Sequence, residues 1–281
     1  MTTQLDPITL EVLWNRLLAV VNEQQVALMR TAFSTVVRET QDLACGVFDQ
    51  RARMIAQSLT GTPGHINAMA TGLRHFLAAY PPERLRPGDV LLTNDPWQTA
   101  GQINDMTVVT PVFRSGRVIA YFASTCHAPD IGGHVLSAEA REVYEEGLRI
   151  PITKLFVAGE PNDGLIEIIR ANVRTPDETV GDLYAQASSN AVGARALTQF
   201  MEEFGLDTVE PLADAIIERS ERAMREAIRQ LPNGVYTNEA WSDGFDVPIR
   251  LAVTVTIRDE DIDIDFAGSS SVFDSSAWPK T

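Results

Sequence analysis

Apolar residues recur along the chain at two spacings, one typical of helices and the other typical of strands. Strand-like alternation runs from Met106 to Phe122 and returns after Gly234. Helical spacing covers four long segments: Pro7 to about Ala32, Thr62 to about Leu77, Pro176 to about Phe204, and Thr208 to about Leu231. This mixture predicts an α+β fold with mixed, largely antiparallel sheets.

The last two helical segments carry clear boundary signals. Thr175-Pro176-Asp177-Glu178 has the form of a capping box with proline in the first turn, and Gly205 follows the end of that segment. The final segment places an apolar stripe opposite a charged face, which is typical of a helix packed on a core. We predict that these two helices form a long antiparallel pair.

The central alternating region contains a hairpin signal. Ser115-Gly116 separates two alternating runs and suits a tight hairpin loop. We therefore predict antiparallel pairing of residues 105–113 with residues 118–126. Strand residues equally distant from the turn lie opposite one another, so Asp105 falls near His127. Three further polar residues should converge at this open end of the hairpin: Gln102, Asp130 and His134.

Other ionisable residues near predicted turns have simpler interpretations. Glu39, Asp42 and Asp49 flank a short predicted hairpin formed by LACGVFD and MIAQS, and we interpret them as a solvated rim. His65 lies at a turn before the second helix. A single histidine in such a place is usually a hydrogen-bonded structural residue, which is our interpretation of His65.

Length and composition define the scale of the protein. With 281 residues and 44% hydrophobic content, the chain can bury a sizeable core, as one large domain or two modest ones. We predict an α+β region over residues 1–160 that carries the candidate site and a helical region over residues 161–233. A β-meander follows over residues 234–281, and we expect it to be incomplete at its C-terminal end.

The charge balance narrows the choice of partners and compartment. Asp and Glu outnumber Lys and Arg by 38 to 23, which argues against nucleic acid or an anionic membrane surface as a partner. No window approaches the ~18 consecutive apolar residues of a membrane span, and the first residues lack the features of a signal peptide. We expect a cytoplasmic protein with two buried thiols, Cys45 and Cys126.

The sequence lacks the motifs of nucleotide-phosphate loops and serine nucleophiles, but it is compatible with a metal site. The sequence contains no GxxxxGK[ST] or GxGxxG motif for a nucleotide phosphate and no GxSxG nucleophile elbow. A divalent cation used for hydrolysis takes two or three His, Asp or Glu side chains and keeps a position for water. Asp105 and His127 could supply two ligands. A hydrogen-bonded structural Asp and His would explain the same spacing, so the residues alone leave both interpretations open.

Several segments together resemble one known family. The runs NDPWQTAGQINDMTVVTPVF and CHAPDIGG are similar to the signature of the hydantoinase B/oxoprolinase family. That family includes the B subunits of ATP-dependent hydantoinases, 5-oxoprolinases, and the related acetone and acetophenone carboxylases. DPITLEVLWNRL, RETQDLACGVFD, GTPGHINAM and ANVRTPDETVGDLYAQ resemble further family segments in the same order along the chain.

The resemblance implies a metal site. In the carboxylase branch a His, an Asp three residues later and a second His surround a divalent metal, and the resemblance places these on Gln102, Asp105 and His127. Manganese or zinc is the expected ion. Gln102 departs from the pattern, since an amide oxygen is a weaker ligand than imidazole for these ions. Asp130 and His134 are the implied catalytic residues, with Asp130 orienting His127 or the attacking water.

The resemblance also implies an activity and a partner. An A-type ATP-binding subunit would phosphorylate the carbonyl oxygen of a small cyclic amide such as a hydantoin or 5-oxoproline. Water would then open the activated ring at the metal site of this chain, within a hetero-oligomer. Family B subunits are longer, so the chain resembles their N-terminal part. Two alternatives stay open: a subunit of an ATP-dependent ketone carboxylase, and a non-catalytic or truncated family member.

Overall fold

The computed structural model describes residues 6–134, 139–244 and 247–270. Within these ranges the chain forms seven α-helices, a short 3-10 helix and ten strands in two antiparallel sheets. The predicted α+β class with largely antiparallel sheets is therefore confirmed.

The large sheet has seven strands in the order β2-β1-β5-β4-β3-β6-β7, and each neighbouring pair is antiparallel. The hairpin β4–β5 and the hairpin β1–β2 both occur where the sequence predicts them. The strands are β1 (Leu43–Phe48), β2 (Met54–Gln57), β3 (Val90–Thr93), β4 (Asp105–Arg114), β5 (Arg117–His127), β6 (Thr153–Val157) and β7 (Glu160–Pro161).

The long helices begin and end close to the predicted boundaries. Asp6 caps the first one, since its Oδ1 accepts from the backbone N–H groups of Ile8 and Thr9 at 3.1 Å. The helices are α1 (Pro7–Thr31), α2 (Thr35–Arg38), α3 (Pro63–Ala79), α4 (Val143–Glu146), α5 (Asp163–Asn172), α6 (Pro176–Glu203) and α7 (Glu210–Arg229), with the 3-10 turn at Pro82–Arg84.

The structure contains a long antiparallel helical pair, but the two helices are not the predicted ones. Helix α6 packs along α1, so the prediction that α7 is the partner of α6 is wrong. Gln24 of α1 donates to Asn190 of α6 at 2.7 Å, and Arg16 bonds Glu203 at 3.2 Å. Because earlier residues of α1 contact later residues of α6, the two helices are antiparallel. Helix α7 packs against α1 and β2.

Helices cover both faces of the central strands. Apolar side chains of α1, α6 and α7 form one cluster with one sheet face, including Phe122. Residues of α3, with Tyr121 and Ala123 of β5, form the cluster on the opposite face. Alternate residues of a strand point to opposite faces, so this division determines which side of the sheet each site residue occupies.

The second sheet contains three strands in the order β10-β9-β8, and it contacts α7 through β10. This confirms the predicted meander as far as Ser270; its remaining part, residues 271–281, lies outside the described residues. The strands are β8 (Gly234–Ser242), β9 (Ile249–Arg258) and β10 (Asp261–Asp265). The three-region division stays a prediction. Among the described helices, none has the length and apolar character needed to cross a bilayer.

Candidate functional site

The central hairpin carries the core of the candidate site. Ser115 and Gly116 both adopt positive φ, 50° and 74°, as a tight two-residue turn that matches the strand twist requires. From this turn the ladder runs to its open end, where Asp105 pairs directly with His127. The predicted position of these two residues is confirmed. Both lie on the α3 face, because β5 alternates from Tyr121 through Ala123 to His127.

Four ionisable side chains meet at this end of the sheet. The Asp105 carboxylate lies between two imidazoles: Oδ1 is 3.0 Å from His127 Nδ1 and Oδ2 is 3.0 Å from His65 Nε2. Asp42 faces the same two rings, with its oxygens 3.8 Å from His65 Nε2 and 3.9 Å from His127 Nδ1. We call Asp42, His65, Asp105 and His127 the His-Asp cluster.

Each member of the His-Asp cluster is held by a different element. Asp105 begins β4 and His127 ends β5. His65 lies in the first turn of α3, which crosses this face of the sheet. Asp42 directly precedes β1, and its backbone carbonyl accepts from the His127 N–H at 3.1 Å. Thr62 then donates to Asp42 Oδ1 at 2.7 Å, which fixes the carboxylate beside the rings.

Burial and mutual charge set the ionisation of the cluster. Burial favours the neutral form of Asp105, but hydrogen bonds from His127 and His65 outweigh it, so the pKa of Asp105 lies below its usual value. Burial likewise opposes the charged form of His65. The hydrogen bond to Asp105 and the charges of Asp105 and Asp42 prevail, and the pKa of His65 is raised. The cluster therefore favours an ionised Asp105 beside a more basic His65.

The donor set suits a divalent metal, although the arrangement is closed by its own hydrogen bonds. Two imidazoles and two carboxylates are ligands typical of zinc and manganese sites in proteins. In the described part of the chain, however, no group of three or more His, Cys, Asp or Glu side chains is arranged to hold an ion as it stands. An ion would replace the imidazole–carboxylate hydrogen bonds with metal–ligand bonds.

Gln102 and His134 lie at the open end of the hairpin with exposed side chains. The backbone carbonyl of Gln102 accepts from the Asp105 N–H at 3.1 Å, so the turn before β4 depends on its main chain. The backbone of His134 donates to Glu145 at 2.9 Å. The ligand role of Gln102 and the catalytic role of His134 stay predictions.

Asp130 is buried close to the site but is engaged elsewhere. Its Oδ1 accepts from the Gly132 N–H at 3.1 Å and from Arg174 Nη1 at 2.8 Å, and Oδ2 accepts from the Arg174 backbone N–H. Burial alone would raise its pKa, but these bonds lower it below the usual value. The contacts favour an Asp130 that fixes the turn after β5 to the start of α6. Its predicted role in orienting His127 stays untested.

Gly132 and Gly133 explain why this turn is glycine-rich. A Cβ on Gly132, whose φ is +82°, would lie 2.4 Å from the carbonyl oxygen of Asn172. A Cβ on Gly133 would meet Glu145 and Glu146 backbone atoms within 2.6 Å. Both glycines therefore lie where another backbone segment approaches too closely to leave room for a Cβ.

From the sequence alone, Asp42 and His65 were interpreted as residues outside the candidate site. The solvated-rim interpretation of Asp42 is wrong, since its 36% exposed side chain faces both imidazoles. It is also wrong for Asp49, which is fully buried and bonds Arg53 Nε at 2.6 Å. His65 is hydrogen-bonded, as interpreted, but its partner is Asp105. A pairing of β1 with β5 would have placed Asp42 next to His127. The available signal was the continuous apolar run LACGVF, which is typical of a central strand buried on both faces.

A known protein family matches nearly the whole chain. The profile described as Hydantoinase B/oxoprolinase matches residues 6–277. The B-type subunit of a putative D-/L-hydantoinase from Pseudomonas sp. (strain NS671) is 32% identical over 281 residues, which cover 95% of this chain and 47% of that protein. The chain thus spans about half the length of this curated relative.

Two solved structures share the fold. The ATP-dependent caprolactamase from Pseudomonas jessenii matches with a TM-score of 0.85 and 29% identity, over 93% of this chain and 46% of that one. A nucleotide-free acetone carboxylase matches with a TM-score of 0.82 over 94% of this chain and 38% of that one, and its 18% identity shows the fold alone. With its matching profile, its relatives and its fold, the chain is a member of the hydantoinase B/oxoprolinase family.

Proposed function

We propose that the chain forms part of a B-type subunit that opens a small cyclic amide, such as a hydantoin or 5-oxoproline, after ATP-dependent activation by a partner. The observation that carries the proposal is the His-Asp cluster, in which Asp105 contacts His65 and His127 at 3.0 Å beside Asp42. The partner is an A-type ATP-binding subunit, and the complex is a cytoplasmic hetero-oligomer.

The chemistry requires activation, because the amide of a small ring is a poor electrophile. Phosphorylation of the carbonyl oxygen by the partner makes the amide carbon a better electrophile. Water adds to that carbon, the ring C–N bond breaks as the nitrogen takes up a proton, and a second water hydrolyses the resulting acyl phosphate to a carboxylate and inorganic phosphate. A divalent ion, zinc or manganese, would be held by Asp42, His65, Asp105 and His127, and it would supply an activated water and polarise the bond under attack. The ionised Asp105 would provide negative charge for such an ion, and its contacts with His65 and His127 hold both imidazoles at the site before an ion binds.

The His-Asp cluster keeps two imidazoles and two carboxylates as possible metal ligands, although Gln102 stands where the family pattern has a histidine. This favours a catalytic subunit over a non-catalytic one. His65 supplies an imidazole that contacts Asp105, in addition to the imidazole of His127. The likeness to acetone carboxylase, at 18% identity, concerns the fold and gives no preference for carboxylation. Hydrolysis therefore stays the favoured reaction.

The test is reconstitution with an A-type subunit. We expect ATP-dependent ring opening and about one divalent ion per B-type chain by elemental analysis, both lost in Asp105→Asn. Asp263→Asn on the exposed strand β10 is the matched control and should retain both. Unchanged metal content and turnover in Asp105→Asn would rule out the proposed site.

A further inference from the structure

The guanidinium of Arg149 lies against two aromatic rings at the surface. Its guanidinium carbon lies 5.8 Å from the ring centroid of Trp97 and 5.8 Å from that of Tyr144. Both rings are substantially exposed, 44% for Trp97 and 74% for Tyr144. Stacking on ring faces orients the planar guanidinium while leaving the N–H groups at its edge available for a ligand.

The backbone on both sides of Arg149 is fixed to the site. Asn94, which follows β3, accepts from the Ile150 N–H at 2.6 Å and donates to the Leu148 carbonyl at 2.8 Å. The same Asn94 amide donates at 2.7 Å to the carbonyl of Ile103, two residues before Asp105. One side chain therefore couples the position of Arg149 to the segment that delivers Asp105.

A second bond reaches the other strand of the hairpin. The Leu148 N–H donates at 2.8 Å to the carbonyl of Ile131, in the turn that follows His127. Arg149 precedes β6, which is separated from β4 by β3 in the sheet order. Two strand spacings amount to about 10 Å, a gap that an arginine side chain and a small ring can span together. Arg149 thus lies on the rim of the end of the sheet that carries the His-Asp cluster.

The charge of Arg149 has no acidic partner in the part of the chain that the structure describes. Among the residues that the structure describes, no Asp or Glu oxygen lies within ion-pair distance of its guanidinium, although acidic residues outnumber basic ones by 38 to 23. An arginine that lies against two rings and has no carboxylate partner among the described residues suits a planar, bidentate oxyanion.

We propose that Arg149 binds an oxyanion of the substrate, either the phosphate of the activated ring or a carboxylate that the ring carries. The proposal rests on the proposed function for the identity of that ligand. Arg149 here anchors the substrate through this oxyanion, while Trp97 and Tyr144 position its guanidinium.

The first arm of the test uses the isolated chain with inorganic phosphate and with 5-oxoproline as probes, each titrated by tryptophan fluorescence. Trp97 is the reporter, since it contacts the guanidinium. Arg149→Met should weaken binding of at least one probe by about 10- to 100-fold, the range for a lost charge-assisted hydrogen bond. Arg149→Lys should bind with intermediate affinity, because it keeps the charge and loses the planar fork.

Arg84→Met is the matched control, because Arg84 also stacks on one ring, that of Tyr80, at 5.4 Å. It should leave both titrations unchanged. Absence of saturable binding in the wild-type chain, or equal weakening by Arg84→Met, would overturn the proposal. Circular dichroism of each variant confirms that it is folded.

The second arm uses the reconstituted complex and compares 5-oxoproline with hydantoin, which carries no carboxylate. If Arg149 binds the carboxylate, Arg149→Met raises KM for 5-oxoproline alone; if it binds the phosphate, kcat/KM falls for both rings. Unchanged kinetics with both would overturn the proposal. A wild-type complex without ring-opening activity would contradict the proposed function and leave the binding result of the isolated chain standing.

Discussion

Asp105 is the residue on which the candidate site depends, since each of its two carboxylate oxygens is hydrogen-bonded to one imidazole. The two rings come from elements far apart in sequence, α3 and β5, and each approaches with one nitrogen. A carboxylate with an imidazole on each oxygen orients both rings more narrowly than a single contact would. Removal of Asp105 should therefore disturb both imidazoles together.

We predict that His65, rather than Gln102, contributes to metal binding. His65→Gln should weaken zinc or manganese affinity by about 10-fold or more, because an imidazole beside Asp105 is replaced by a neutral amide. Gln102→Ala should change it little, since the Gln102 side chain is exposed. The measurement is competition with a chelating dye.

His75 provides a matched control within α3, where it is exposed and outside the cluster. His75→Gln should bind metal as the wild-type chain does. The opposite ranking, with a large loss in Gln102→Ala and none in His65→Gln, would return the ligand role to Gln102.

The buried ion pair of Asp89 with Lys154 should make stability depend on pH. Asp89 is fully buried and accepts from Lys154 Nζ at 2.6 Å and from the backbone N–H groups of Ala158 and Arg86 at 2.9 and 2.8 Å. Burial raises its pKa, but these bonds outweigh burial, so the pKa of Asp89 is lowered from 3.8.

A lowered folded-state pKa contributes stability above the unfolded-state pKa, and this contribution is lost as the pH falls through the folded value. At pH 7 Asp89→Asn should therefore reduce the free energy of unfolding by about 3 kcal/mol, since Lys154 loses a buried carboxylate. The difference from wild type should shrink as the pH falls below about 3.8. Urea unfolding at pH 7, 4 and 3 measures it, and a difference that grows in acid would contradict the assignment.

Among the elements, α6 determines how the site hairpin is supported. Buried amides of this helix donate to carbonyls of β4 and β5: Gln186 to Met106 and Ser124 at 3.0 Å, and Asn190 to Val108 at 3.1 Å. A buried carbonyl left without a partner costs about 1–3 kcal/mol. These bonds fix the helix over the strands that end in Asp105 and His127.

The closeness of α6 to the sheet depends on Gly193. A Cβ at this position would lie 2.5 Å from the ring of Phe122, which is fully buried and has little room to move. Gly193→Ala should destabilise the protein by about 1–3 kcal/mol through overpacking. This corresponds to a fall in Tm of roughly 2–4 °C per kcal/mol in a chain of this size.

Gly164 in α5 is the matched control, since a Cβ there has its nearest neighbour at 3.8 Å. Gly164→Ala should be neutral or slightly stabilising, because alanine has the higher helix propensity. Equal Tm values for Gly193→Ala and wild type would show that α6 tolerates a wider separation from the sheet. Calorimetry of the three proteins makes the comparison.

At the scale of the whole molecule, activity should require another polypeptide. We predict that the isolated chain hydrolyses no ATP, because its sequence has no phosphate-cradling glycine loop and its formal charge of -15 disfavours a nucleotide. Addition of an A-type subunit should produce ATP hydrolysis that depends on a cyclic amide. ATP hydrolysis by the highly purified chain alone would contradict this assignment of ATP hydrolysis to the partner subunit. The contradiction would be complete if Asp105→Asn hydrolysed ATP at the same rate.

The sequence by itself determined the local elements and the central pairing of the site. Periodicity located α1, α3, α6 and α7 because each buries one stripe, and the Ser115-Gly116 turn fixed the register that sets Asp105 opposite His127. Such features depend on residues close in sequence, whose spacing carries the information. The motif resemblance likewise identified the family, since it compares residues in order along one chain.

Only the tertiary structure decided which distant elements meet. Asp42 and His65 join the cluster because β1 pairs with β5 and α3 crosses that face of the sheet. The packing of α6 on α1 instead of α7 is a similar case. Apolar stripes and strand alternation specify that a surface is buried and leave its partner unspecified, since many apolar surfaces bury equally well against one another. The choice is made by complementary details such as Gly193 against Phe122, which emerge once the whole chain is folded.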